Sequence, residues 1–301
     1  EGDPECAEPR LSLRTADLRD FRAASTSRTR PWLLSVVVLV VLLAAAGAVV
    51  HFRGTWEVAS TRLVETTHVT EELTDELRVL QISDFHSLPR AEQIDDVVAL
   101  AKGARADLIA LTGDLLNTHN RDLTSVERLL AGLQGAGAPV VAVDGNHDHW
   151  SSQQADLHAL YRQYGVQLLV DEHFAYMGPW GRAIVVATDD HFSGHGDLTK
   201  AVEGAPDDAF RLLLTHSPGV MWQMEEHGID YAMCGHTHGG QIRFPFLGAV
   251  YVPGGNFFPK YSKGEYQVGS STLFIDSGVG VTGPNYRFLN QSQIVLHRFV
   301  S

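Results

Sequence analysis

The sequence predicts an α/β domain behind one N-terminal membrane-spanning helix. Three observations carry this. From Arg78 onward, short β-rich runs alternate with stretches of helical length, the signature of βαβ units. Five of those runs are followed at once by Asp, Asn or His. And Trp32–Val50 is an uncharged, almost wholly apolar run of 19 residues. With 301 residues, 44% hydrophobic and 20% charged, the chain has enough apolar material for a sizeable core and too little charge for global disorder.

Residues 1–30 are polar, with six Arg and six acidic residues and no hydrophobic periodicity, and read as a flexible cytoplasmic tail. Residues 31–50 read as the membrane anchor. At the helical rise the apolar run is about 28 Å long, close to the ~30 Å hydrocarbon core. Arg19, Arg22, Arg28 and Arg30 precede it and only Arg53 and Arg62 follow closely. The positive-inside rule then puts the N-terminus in the cytoplasm and the following domain on the outer face of the cell membrane. The alternative is a cleaved signal peptide and secretion, because Ala44-Ala45-Ala46-Gly47-Ala48 offers small-residue cleavage sites. The run is long for a signal core, which favours an uncleaved anchor. Residues 51–75 read as a polar connector with a strand at Leu63–His68, and residues 76–301 as the folded domain.

Within that domain the first half reads as strand Val79–Ser83, helix Ile94–Lys102, strand Leu108–Thr112, helix Ser125–Leu133, strand Val140–Val143 and helix Gln153–Tyr164. Strands near Val166–Leu169, Ala183–Thr188, Arg211–Thr215 and Tyr231–Met233 follow, with helices only near Leu198–Val202 and Val220–His227. After Gln241 the pattern reads as hairpins: Ala249–Val252, Glu265–Val268, Thr272–Asp276 and Ile294–Phe299.

The net charge is -13. Residues 1–53 hold 7 Arg and 6 acidic residues, which leaves 16 basic against 30 acidic in the remainder. Such a domain is a poor nucleic-acid partner, since phosphate-backbone binding relies on Lys and Arg. An anionic substrate is still possible, because bound cations reverse the local field. The two cysteines, Cys6 and Cys234, lie on opposite sides of the apolar run and imply no disulfide framework.

The chemistry lies at the strand ends. Val79–Ser83 runs into Asp84-Phe85-His86, Leu108–Thr112 into Gly113-Asp114, and Val140–Val143 into Asp144-Gly145-Asn146-His147-Asp148. Leu212–Thr215 runs into His216, and Tyr231–Cys234 into Gly235-His236-Thr237-His238-Gly239-Gly240. In an open α/β sheet ligands bind beyond the carboxyl ends of the strands, so these groups are expected in one crevice. Asp84 and His86, like His236 and His238, are two residues apart and leave the same face if the backbone is extended. A lone Asp after a strand is more often a turn or cap, and a lone His more often a satisfied core residue. Capping does not, however, supply five histidines over five strand ends.

As a set, Asp84-Phe85-His86, Gly113-Asp114, Gly145-Asn146-His147-Asp148, His216 and Gly235-His236-Thr237-His238 resemble the calcineurin-like metallophosphoesterases over residues 76–301. The single span, Gly239-Gly240-Gln241, Gly278-Val279-Gly280 and Arg287-Phe288 resemble, within them, the bacterial membrane-associated phosphodiesterases of the YkuE/YaeI type. The segment after Arg287 departs from that subgroup, with Gln293-Ile294 in place of Pro-Glu-Ile.

The resemblance implies a four-layer αββα sandwich with a dinuclear site. Asp84, His86 and His238 would bind one metal, Asn146, His216 and His236 the other, and Asp114 would bridge them. The mixed oxygen and nitrogen donors suit Mn, Fe or Zn. His147 would act on the phosphoryl group or the leaving oxygen and Asp148 would orient it, the alternative for Asp148 being a helix cap. Asn117 stands where purple acid phosphatases carry Tyr, which excludes an iron-tyrosinate site.

The implied reaction is hydrolysis of a phosphoester by a metal-bound hydroxide, foremost by a membrane-anchored phosphodiesterase. Alternatives are a pyrophosphatase acting on a lipid-linked nucleotide of the UDP-diacylglucosamine type, or a phosphomonoesterase. The non-enzymatic alternative, a membrane-tethered metal-binding sensor, is disfavoured because every expected ligand is present. His149, His191 and His195 read as loop surface, the alternative being that they line the entrance to the site, and Asp189-Asp190 reads as a turn. The aromatics of 244–261 either pack beneath a long loop or meet lipid.

Overall fold

The computed structural model describes residues 31–252 and 256–301. The tail expected over 1–30 lies outside them. Two units separate, one ending at Ala48 and one spanning Val49–Ser301. Helix α1 (Pro31–Ala59) runs nine residues beyond the expected end of the anchor. From Trp32 to Arg53 its side chains are exposed; Gly54, Glu57 and Val58 are buried. Trp32–Ala59 is long and apolar enough to cross a membrane. The extension follows from the sequence: Arg53 Nε donates to Glu57 Oε1 at 2.7 Å one turn on, a spacing that supports a helix.

Over residues 51–75 the strand expected at Leu63–His68 is present, and the rest is more structured than a polar connector. These residues contain the end of α1 and strand β1 (Arg62–Val69), which pairs in parallel along its whole length with β16 (Gln293–Val300). β16 in turn pairs antiparallel with β2 (Leu77–Ile82). Parallel neighbours β3 (Leu108–Thr112), β4 (Val140–Val143) and β5 (Gln167–Leu168) complete a six-stranded sheet ordered β1-β16-β2-β3-β4-β5. A second six-stranded sheet has the order β14-β15-β9-β8-β7-β6. Its members are β6 (Glu172–Gly178), β7 (Gly181–Ala187), β8 (Phe210–Leu214), β9 (Tyr231–Cys234), β14 (Gly264–Val268) and β15 (Ser271–Ile275). Between β9 and β14 lie two small hairpins, β10 (Arg243–Phe244) with β11 (Gly248–Ala249), and β12 (Tyr251–Val252) with β13 (Asn256–Phe257).

The sheets stack face to face. Val79, Ala110, Val143, Val185, Leu214 and Met233 are among the side chains packed between them. The intervening residues of the same strands point outward. Leu80, Ile109 and Ala142 meet α2 (Ala91–Ala104), α3 (Thr124–Leu133) and α5 (Gln154–Tyr164). Val186, Leu213 and Ala232 meet α6 (Leu198–Ala201) and the 3-10 turn Pro218–Trp222. This is the four-layer αββα arrangement. Strands buried on both faces read as unbroken apolar runs, which is why the central ones were legible.

Three expectations are corrected. The five polar strand ends belong to two sheets, with β2, β3 and β4 in one and β8 and β9 in the other. After Gln241 only β14–β15 is a hairpin of the main sheets; β15 also pairs in parallel with β9, and β16 crosses to the first sheet. The helix expected over Val220–His227 is replaced by the 3-10 segment Pro218–Trp222 and turns.

Candidate metal centre

The candidate residues sit in sharp turns rather than on extended backbone. Asp84, His86, Asp114, His236 and His238 all have positive φ, between 50° and 68°. Non-glycine residues rarely occupy that region, and clusters of them mark sites where surrounding structure enforces strain. The expectation that Asp84 and His86, or His236 and His238, share a face of a strand is therefore replaced by paired left-handed turns. Two glycines make room for them. Gly113 has φ +83°, and a Cβ there would stand 2.6 Å from His216 Nδ1; a Cβ on Gly235 would collide with Ser83 Oγ and Asp84 Oδ2.

These turns gather the side chains into two adjoining groups. In the first, His86 Nε2 lies 3.2 Å from His238 Nε2, and Asp84 Oδ1 is 3.9 and 3.7 Å from those nitrogens. In the second, His236 Nδ1 is 2.8 Å from Asn146 Oδ1, and His216 Nε2 is 3.1 Å from Asp114 Oδ2. The same Asp114 oxygen stands 3.6 Å from His86 Nε2. Asp114 thus belongs to both groups, and Asp84–His86–His238 and Asp114–His216–His236 each have the spacing of a cation site.

The surroundings fit cations. His86 Nδ1 faces Leu116 O at 3.1 Å and His216 Nδ1 faces Thr112 O at 2.9 Å. A proton on each Nδ1 leaves Nε2 as a lone pair aimed into the crevice, the usual way a carbonyl fixes a ligating imidazole. His238 Nδ1, though buried, has no hydrogen-bond partner among the described residues, and His216 Nε2 meets the Asp114 carboxylate. Burial depresses His86 to about 3 and His236 to about 4, and holds His238 well below its usual value. Neutral imidazole is the ligating form.

The acidic groups show the complementary stress. Burial, with Asp114 and Asp276 nearby and His216 opposing, raises Asp84 to about 7. Burial also pushes Asp114 up, but His216, His86 and His147 more than offset it and hold it far below the carboxylate range. Desolvation lowers His216, yet Asp114, Asp84 and Asp190 together keep it well above its ordinary value. Two buried carboxylates facing the neutral nitrogens of His86, His236 and His238, with His216 held as a cation between them, make a pocket that favours positive charge.

His147 opens the helix α4 (Asn146–Trp150) beside this centre. Its ring stands 4.8 Å from that of His86, and its backbone N–H donates to Asp114 Oδ1 at 2.7 Å. Its Nδ1 pairs with Thr118 Oγ1 at 2.7 Å. Asp148 does not orient it. The Asp148 carboxylate accepts backbone N–H groups of Leu116 at 2.8 Å, Gly145 at 2.9 Å and Leu115 at 3.3 Å. It ties the turn after Asp114 to the turn before Asn146, and Thr118 takes the place assigned to it.

Sequence reading missed a supporting layer. Arg287 is fully buried, and its Nη2 donates to Ser277 O, Gly278 O and Gly280 O. Asn290 Nδ2 donates to His238 O at 2.7 Å, while Asn290 N donates to Glu57 Oε2 at 2.9 Å. His149, expected on the surface, stacks on His195 at 3.9 Å and pairs with Asp189 at 2.6 Å.

Two sheets presenting such a centre at their converging strand ends define a metal-dependent phosphohydrolase. The family model described as calcineurin-like phosphoesterase matches residues 77–240, and the chain belongs to that family. It is 27% identical over 248 residues to the uncharacterized metallophosphoesterase YkuE of Bacillus subtilis strain 168, covering 78% of this chain and 85% of that one. It is 27% identical over 208 residues to the phosphodiesterase YaeI of Escherichia coli K12, covering 67% and 75%. Among solved structures it is similar to a dimetal phosphatase from Danio rerio, with TM-score 0.45, 14% identity, and coverage of 69% and 89%. The family uses a dinuclear metal centre.

Proposed function

We propose that the chain is a membrane-anchored phosphodiesterase with two metal ions, of the Mn, Fe or Zn type, at this centre. Asp84, His86 and His238 hold one ion, Asn146, His216 and His236 the other, and Asp114 bridges. The observation that carries the reading is the single Asp114 oxygen facing both imidazole groups. When bound, two such ions supply an activated water and clamp the attacking and leaving oxygens of an in-line displacement.

The remaining chemistry belongs to the protein. With Thr118 Oγ1 as the donor to His147 Nδ1, the imidazole proton would sit on Nε2 and be free for the incoming phosphoryl group. From there His147 hydrogen-bonds a phosphoryl oxygen or delivers that proton to the leaving oxygen. Phe192 packs 4.4 Å from the His236 ring and screens that side from water. A cavity of about 450 Å³, lined by His191, Ser217, Lys260 and Tyr261 beside His236, takes the substrate. Diester cleavage is favoured by the likeness to a relative named a phosphodiesterase.

Helix α1 anchors the chain with its N-terminus cytoplasmic and the domain on the outer face. A second reading, a lipid-linked pyrophosphate substrate, is supported by an apolar cavity of about 400 Å³ formed by Ile242, Val250, Tyr251 and Pro284 beside Thr237.

The test is a panel of aryl diester, aryl monoester and lipid-linked pyrophosphate substrates offered to the full chain in detergent, before and after chelation and metal reloading. Diester hydrolysis that vanishes on chelation and returns on reloading is expected. His147→Ala should lower turnover by roughly 10²–10⁴ while metal content stays near that of the parent. Turnover indifferent to chelation would defeat the proposal.

A further inference from the structure

The hairpin β10–β11 and its neighbour β12–β13 carry apolar side chains that stay largely exposed among the described residues, with Tyr251 against one side of Phe257. Arg243 pairs with Ala249 and Phe244 with Gly248, so Pro245, Phe246 and Leu247 form the tip. Phe246 is 108% exposed and Leu247 67%. In the next hairpin Phe257 is 70% exposed and Phe258 60%. Phe246 and Phe258 also have positive φ, 68° and 49°, an uncommon state for a bulky residue. Of the two alternatives for the aromatics of 244–261, packing beneath a loop does not hold for Phe246, Phe257 and Phe258. Phe258 N donates to Val250 O and Val250 N to Ile242 O, so the two hairpins form one connected ribbon.

The base of that ribbon is fixed to helix α1. Phe288 N donates to Gln241 O and Arg243 N donates to Phe288 O, at 3.0 and 2.9 Å. One residue earlier, Arg287 N donates to Gly54 O at 3.3 Å, and Tyr286 Oη donates to Val50 O at 2.8 Å. Three consecutive residues therefore clamp the ribbon to the stretch Val50–Gly54, where the exposed apolar side chains of α1 give way to buried ones. The composition agrees. Residues 239–264 contain Arg243, Lys260 and Lys263 and no acidic residue, in a chain of net charge -13. Arg243 and Lys263 turn inward to Gly239 O, Ser262, Ser277 and Asn290.

We propose that the tip of β10–β11, together with Phe257 and Phe258, inserts into the outer leaflet of the bilayer beside α1. The occupant is lipid: the patch is apolar, lacks negative charge, and is held at the exit of the membrane-crossing helix, where amphipathic segments settle at the headgroup boundary. This rests on the reading of α1 as an anchor. It makes the β10–β11 tip a second membrane contact and sets the cavity beside Thr237 next to the lipid surface. With two of the three cations turned inward, binding depends little on salt.

The test uses the full chain in phosphatidylcholine–phosphatidylglycerol nanodiscs, with Cys6→Ser and Phe246→Cys carrying an environment-sensitive fluorophore. Cys234 is buried and stays unlabelled. Glu203→Cys, exposed just after α6 in the outer helical layer of the second sheet, is the control. Several-fold stronger quenching by nitroxide lipids at position 246 than at 203 is expected, unchanged by moderate salt. Equal quenching at both positions overturns the proposal. So does a blue shift at 246 that grows with protein concentration without lipid quenching, which would mean a second copy covers the patch. Alkaline extraction of native membranes separates the two readings: a chain that washes off refutes the anchor, whereas a chain that stays with position 246 unquenched refutes only the insertion.

Discussion

Replacing Asp148 with Ala removes one carboxylate and strands three buried amides, those of Leu116, Gly145 and Leu115. An unsatisfied buried donor costs about 1–3 kcal/mol, and the 3.3 Å Leu115 bond contributes least. Against this, burial and the neighbouring Asp144 and Asp114 hold the Asp148 carboxyl well above its usual range, so its removal relieves some repulsion. A net loss of about 3 kcal/mol is expected, which for a domain of this size lowers the melting temperature by roughly 6–12 °C. The assay is thermal unfolding of the full chain in detergent, with metal content measured on the same samples. His147→Ala is the comparison: its side chain is half-buried and bonds only Thr118, so it should melt within about 2 °C of the parent and lose turnover instead. The two turns tied by Asp148 carry Asp114 and Asn146, so Asp148→Ala should also retain less metal. If Asp148→Ala melts with the parent, keeps its metal and loses turnover as His147→Ala does, then Asp148 works through the imidazole and the scaffolding argument is wrong.

Three further outcomes follow from the same geometry. His297 is buried between Tyr231 Oη and Gln81 Oε1, and desolvation lowers it to about 3. Its folded value lies below the unfolded one, so its contribution is full above pH 6.5 and is lost as pH falls toward 3, up to on the order of 4 kcal/mol; His297→Gln should flatten that acid limb in denaturant titrations, and parallel profiles would contradict it. Glu57→Ala removes the acceptor for Asn290, whose amide holds His238 O; metal should dissociate several-fold faster, with Glu57→Gln restoring retention, and identical release rates would dismiss the link. Gly235→Ala drives a Cβ into Ser83 Oγ and Asp84 Oδ2; folding measured by circular dichroism should survive while metal content falls, and full occupancy would show that the turn can relax.

The strand-end pattern was legible because the chemistry follows directly on runs buried on both faces. Leu108–Leu111 announces itself by unbroken apolarity and Val79–Ile82 by apolarity broken only at Gln81, and what comes after them is conspicuous. The strand at β1 is legible, but its place in the main sheet is not, because it is an edge strand whose residues alternate between partial and full exposure. Among the described residues its one strand neighbour lies some 230 residues away. The left-handed turns at Asp84 and His238 were missed because residue type signals positive φ only through glycine, and here the glycines sit beside the strained residues. Arg287 and Asp148 were missed or misassigned for one reason: their partners are backbone carbonyls and amides, which have no sequence signature.

β16 has an implication for how the molecule is made. It lies between β1 and β2, and among the described residues β1 has no other strand neighbour. The first strand after the long apolar helix α1 must therefore stay unpaired until residues 293–300 have been synthesised. Pairing at such separation is slow, because a long loop has to close before any contact rewards it. If the domain crosses the membrane, it does so as an open chain and closes afterwards. Asn290, which holds the His238 turn, immediately precedes β16, so the metal ions would then be acquired from the outer compartment rather than carried across.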